Sequence, residues 1–213
     1  MKKITYLLLL LIGSNVAFSQ GNGPVLEELN PYRVGLKIGT PIVIGFDLEY
    51  VTPLFENRVA PFIDFTSLKY NHEGDIYRSN VFEVGTNVYF DNKGIGEGFY
   101  GALSYGHINF KMDRIDYEVD ANRQFTGVAK SETKVGTFNV KVGARFGEKF
   151  YFRTEIGYGF GSIPESISST GIMNGAQVTV EEDISEDLSD FPIAGKNGTL
   201  LFNIGFGYAF KVK

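Results

Sequence analysis

Two histidines and a recurring set of charges are the residues of this chain whose types and spacing could do chemistry. His107 lies between Ser104 and Asn109. A serine two residues after a strand histidine shares its face, so the imidazole can take the hydroxyl proton and make a nucleophile. Here that position is Asn109, which supplies none. His72 stands in the polar stretch Asn71-His72-Glu73-Gly74-Asp75 and reads as loop, because a metal needs further convergent ligands. Gly157-Tyr158-Gly159-Phe160-Gly161 is rich in glycine, but no helix follows to present its N-terminus to a phosphate. Catalytic, metal and cofactor sites are not expected, nor is enzyme activity.

The charges do form a pattern. Arg33, Lys37, Lys141, Arg145 and Arg153, with Asp47, Glu49, Asp64, Glu83 and Glu155, all fall on the small and polar side of alternating stretches, beside Asn87, Asn139 and Asn203. Five cations face five anions. Enclosed together they must pair, since an unpaired ion in a confined space is costly. A second group is one-sided: Glu165, Glu181, Glu182, Asp183, Glu186, Asp187 and Asp190 against Lys196. It reads as a solvated acidic loop, with contact to a divalent cation or a cationic surface protein as the sharper expectation. It lacks calcium-loop spacing, and a net charge of −5 disfavours nucleic acid.

The elements that carry these charges alternate with the period of two expected of strands. Eight segments are legible, at about residues 32–39, 42–51, 59–69, 80–90, 99–110, 135–146, 150–161 and 200–210. In the last, Leu200, Phe202, Ile204, Phe206, Tyr208 and Phe210 oppose Leu201, Asn203, Gly205, Gly207 and Ala209. The fifth is expected to change phase near His107, as at a β-bulge. Short links after segments two, four and six alternate with longer ones at 70–79, 111–134 and 162–198, all taken as loops, while the link at Thr40-Pro41 is very short. Composition agrees: 19 Phe, 12 Tyr and 26 Gly favour strands whose walls bend. The absence of Cys excludes disulfides.

Lys2 and Lys3 precede an apolar run at 4–12, and Ala17 and Ser19 give a small-x-small pattern, so residues 1–19 read as a cleaved export signal. Residues 20–31 then form an N-terminal periplasmic segment and 32–213 one domain. No later stretch has the roughly 20 consecutive apolar residues of a membrane helix. Segments of about ten residues with one aromatic and aliphatic face suit strands that cross a bilayer. A soluble lipocalin-like binder alternates too, but the glycines between the charges fit a narrow lumen better than a wet surface.

The expected fold is all-β: an eight-stranded antiparallel up-and-down transmembrane β-barrel in the bacterial outer membrane. The signal sequence, eight alternating segments, glycine-rich inner face and aromatic last strand resemble the small outer-membrane β-barrel superfamily of OmpA/OmpX-type proteins. A departure is the tail Lys211-Val212-Lys213 after Phe210, where many such barrels end on an aromatic. The resemblance implies contact with outer-membrane lipid, lipopolysaccharide and the barrel assembly machinery, and a structural or surface-interaction role. A small-solute channel or porin is the alternative. A lipid-modifying enzyme such as the lipid A deacylases is disfavoured, because Asn109 stands where their serine would be.

Overall fold

A computed structural model of the chain describes residues 30–40, 44–90, 96–120, 123–162, 164–183, 194–195 and 197–211. The expected signal at 1–19, nearly all of the 20–31 segment, and Glu186, Asp187, Asp190 and Lys196 lie outside the described residues.

Every described element is a strand: β1 (Tyr32–Thr40), β2 (Gly45–Tyr50), β3 (Val59–His72), β4 (Asp75–Tyr89), β5 (Gly98–Ile115), β6 (Glu118–Asp120), β7 (Arg123–Gln124), β8 (Thr126–Phe146), β9 (Phe150–Phe160), β10 (Ser166–Met173), β11 (Ala176–Asp183), β12 (Ala194–Gly195) and β13 (Gly198–Phe210). Eight of them close a ring. β1 to β5 pair in sequence, β5 pairs with β8, β8 with β9, β9 with β13, and β13 returns to β1, all antiparallel. Closure pairs both edges of each strand and abolishes the open sheet edge. The last segment is the closing strand, in register from Tyr32 opposite Phe210 to Thr40 opposite Phe202.

Burial along these strands is inverted relative to a protein folded in water. On β1, Arg33, Gly35 and Lys37 are buried while Tyr32, Val34, Leu36 and Ile38 are exposed. The exposed face is strongly apolar around the ring, with Leu36 at 65 %, Phe99 at 69 % and Phe150 at 76 %. In water that area forfeits about 25 cal/mol per Å².

The structure corrects three expectations. No bulge occurs at His107: β5 keeps one register with β4 from Ile76 opposite Asp113 to Tyr89 opposite Tyr100, and one with β8 from Gly98 to Ile115. The apparent phase change is a change of composition. The 18-residue β5 and 21-residue β8 outrun the roughly ten residues that carry a clean amphipathic alternation.

For the same reason, 70–79 and the described part of 111–134 are mostly strand and not loops. β3 and β4 run on to a tight turn at Glu73-Gly74, both at positive φ, as a two-residue hairpin requires. The upper halves of β5 and β8 pair with each other and flank the small β6–β7 hairpin.

Finally, Glu181, Glu182 and Asp183 lie on strand β11 and not in a loop. β10 and β11 form a hairpin turning at Asn174-Gly175, and β10 pairs with β8 through Ser169 opposite Ser131. Phe125, Ala129 and Val180 bury a small core there, with Tyr117 and Met173 packed against it. Asn-Gly between alternating residues is a hairpin signal that the acidity of the stretch obscures.

Candidate functional site

All ten charges of the alternation point into the ring, each at most 6 % exposed. Arg33 and Glu49 are register partners on β1 and β2 and form an ion pair. Seven of the others link end to end across the interior. Asp64 on β3 pairs with Lys37 on β1, whose Nζ is 3.7 Å from Glu83 on β4. Lys141 on β8 sits 2.9 Å from Glu83 and 3.5 Å from Glu155 on β9. Arg153 follows, 3.8 Å from Glu155 and 3.4 Å from Asp47 on β2.

Neutral polar groups complete the carboxylates' shells. Asn139 donates to Glu83 at 3.1 Å, Asn203 to Glu155 at 3.2 Å, and Ser104 also donates to Glu83. These donors supply Glu83 and Glu155 with charge-assisted hydrogen bonds beside their ion pairs.

Below this layer, toward the end of the ring where β1 begins, tyrosines close the interior. Tyr89, Tyr100 and Tyr151 are buried, and the Tyr89 and Tyr100 rings lie 5.1 Å apart. Their hydroxyls reach the charges: Tyr100 donates to Glu155 at 2.9 Å and Tyr89 to Glu49 at 3.1 Å. The Arg145 guanidinium lies 4.9 Å from the Tyr151 ring centre, within cation–π range. The sequence reading named no tyrosine among the interior residues, although Tyr89 shares the parity of Glu83. The available signal was parity, since each tyrosine shares a face with glycine and charge. Gly143 opposes Tyr100, Gly207 opposes Tyr151, and each ring occupies the space where its partner's Cβ would be.

Above the charge layer a cavity of about 40 Å³ remains, lined by Lys37, Glu83, Thr66, Thr137, Asn139 and Asn203. That is room for about one water, at roughly 30 Å³ each. The chemistry such an interior performs is mutual neutralisation, which ties non-neighbouring strands together.

The other candidates do not converge. His107 is outward and exposed, whereas Ser104 is buried inside and bonded to Glu83. His72 sits at the β3–β4 tip beside Glu73. Among the described residues no group of three or more His, Cys, Asp or Glu could hold a metal ion.

The acidic stretch is partly neutralised by its neighbours. Glu182 accepts from Arg114 at 3.0 Å, Ser169 at 2.7 Å and Tyr117 at 2.6 Å, while Ser166 donates to Glu181. Burial pushes the Glu182 carboxyl up, but these hydrogen bonds and the Arg114 charge outweigh it and hold it below the ordinary 4.5. Burial, and then the bond to Glu182, raise the Tyr117 hydroxyl.

No sequence-family model matches this chain, and no curated protein sequence matches it. Among solved structures it is similar to a major outer membrane protein from Thermus thermophilus, at 11 % identity and a TM-score of 0.51, over 84 % of this chain and 99 % of that one. CarO2 of Acinetobacter baumannii aligns at 12 % identity and a TM-score of 0.43, over 84 % of this chain and 98 % of its own. The Thermus likeness is one of fold, and it agrees with the closed antiparallel ring.

Proposed function

We propose that this is an integral outer-membrane protein whose eight-stranded ring crosses the bilayer as an up-and-down β-barrel with a closed, charged lumen. Its role is structural or one of surface interaction. The inversion of burial carries this reading: an exterior of Phe, Leu, Ile and Val around an interior of paired ions is the arrangement that hydrocarbon outside and protein inside select. The name of the Thermus neighbour, an outer membrane protein, supports it.

Ring strands of 9 to 18 residues such as β1, β9, β13 and β5 meet the roughly 9–11 that a tilted crossing needs. The upper halves of β5 and β8 and the β10–β11 hairpin then stand clear of the membrane, where loops and extensions carry the contacts of such scaffolds. Lipopolysaccharide beside the wall, the assembly machinery, and a cationic partner at acidic β11 are the proposed contacts.

A lumen filled by paired ions and tyrosines does not pass solutes. The test is planar-bilayer conductance of the purified protein, together with fractionation of cells. Recovery in the outer membrane without stable open steps is expected. Stable open steps would establish the channel alternative, and recovery in the soluble periplasm would return the lipocalin-like one.

A further inference from the structure

On one side of the ring, a group of cations faces outward just beyond the apolar band. The last large apolar outward residues before these cations are Phe65 on β3, Phe82 on β4, Tyr105 on β5 and Phe138 on β8, and Ile115 and Val128 lie beyond them. Lys69, Arg78, Lys111 and Lys134 follow on the same strands, about 13–20 Å farther along at the usual rise per residue. The register sets them side by side: Lys69 opposes Arg78, Arg78 opposes Lys111, and Lys111 opposes Glu132. One step higher, Asp113 opposes Lys130, which opposes Thr170. Arg78, Lys111, Asp113, Lys130, Glu132 and Thr170 line an open cleft of about 560 Å³.

The cleft's charge is opposite to that of the chain. Asp113 takes Arg78 at 2.8 Å, and Glu132 is shared by Lys111 at 3.5 Å and Lys134 at 3.1 Å. Lys69 and Lys130 make no ion pair among the described residues. Three cations and two anions line the cleft, and Lys69 and Lys134 beside it bring the count to five cations against two anions, on a protein of net charge −5. Among the described residues the far side of the ring has no such group: β1, β9 and β13 reach their upper ends with Thr40, Phe160 and Gly198. The surplus is thus a local site and not a belt.

Resting on the barrel reading, we infer that this cleft binds the phosphorylated sugar headgroup of lipid A in the outer leaflet. Lysine stems can lie along the wall and lower their ammonium groups to the level of the lipid phosphates. Arg78 supplies a guanidinium suited to phosphate. Ser168 and Thr170 line the cleft with hydroxyls for the sugar, and Asp113 and Glu132 screen the cations from one another. Acyl chains would descend over the exposed face of Phe82, Tyr105 and Phe138.

The experiment is native mass spectrometry of the full mature chain released from detergent after incubation with one probe at a time. The probes are bisphosphorylated lipid A, the same lipid dephosphorylated, and phosphatidylglycerol, with inorganic phosphate as competitor. One bisphosphorylated lipid A per protein is expected, retained about tenfold over the dephosphorylated form, as several lysines acting together imply. Lys111→Glu with Lys130→Glu removes that preference. Glu132→Gln, which frees two lysines and leaves the interior untouched, strengthens it. Equal retention of the dephosphorylated lipid or of phosphatidylglycerol, displacement by millimolar phosphate, or indifference to both variants overturns the assignment. Flotation of each sample with vesicles separates the two readings. A protein that does not float sinks the membrane reading, whereas one that floats without preferring lipid A sinks the cleft alone.

Discussion

The Nζ of Lys141 on β8 lies 2.9 Å from the Oε1 of Glu83 on β4, and the bridge spans β5, the strand between them in the ring. It therefore ties strands that share no backbone hydrogen bonds. Glu83 also faces Lys37, so Glu83→Ala exposes two buried cations to an incomplete partner set. A loss of about 3 kcal/mol is expected. Urea unfolding followed by heat-modifiable gel mobility measures it, and an unchanged midpoint would mean that the ionic layer does not hold the ring.

Gly207→Ala tests the fit between ring wall and tyrosine. The new Cβ would overlap the Tyr151 ring and crowd the Val34 carbonyl. Overpacking of this kind costs about 1–3 kcal/mol. Combining it with Tyr151→Ala should recover part of the loss, but not all, because the carbonyl remains. The coupling is read from a double-mutant cycle of unfolding midpoints; strict additivity would show that ring and glycine do not share that space.

Acid should loosen the β10–β11 hairpin. The Glu182 carboxyl is held below 4.5 in the folded protein. Its contribution is thus complete above that value and is lost as pH falls through the lower folded value. Hydrogen exchange of Ser166–Met173 amides at pH 3 against pH 7, corrected for intrinsic rates, should show protection falling in wild type. Glu182→Gln should flatten that difference, and a hairpin equally protected at both pH values would remove Glu182 from its docking.

His107→Ala should be nearly silent. Its imidazole faces away from Ser104 and is exposed on the outer wall. Surface changes of this sort stay within about 0.5 kcal/mol. Stability is measured by the same urea series, and lipid A deacylation is followed by mass spectrometry of the lipid. A hydrolytic activity that disappears with the imidazole would establish the enzyme reading instead.

The eight ring strands were legible because most carry a clean period of two, and because inner charges and glycines share one parity, as at Arg33, Gly35 and Lys37. The ring's interior tyrosines were less so. Tyr89 has the parity of Glu83, but a large ring among small residues makes sense only when Gly143 and Gly207 on other strands are seen to receive Tyr100 and Tyr151. The upper strands were missed for another reason. Above the apolar band no solvent contrast enforces alternation, so Lys111 to Ile115 and Val128 to Lys134 resembled a loop while their backbones remained paired.

By itself the sequence determined which face of each strand is apolar, how many strands there are to close a ring, and which ten charges lie on the opposite face. Those follow from local periodicity, which a single chain reports directly. Tertiary structure decided which cation meets which anion, how tyrosine and glycine share the lower interior, and that β10–β11 docks on β8. Those depend on register and closure, where residues far apart in the chain are brought within a few ångströms.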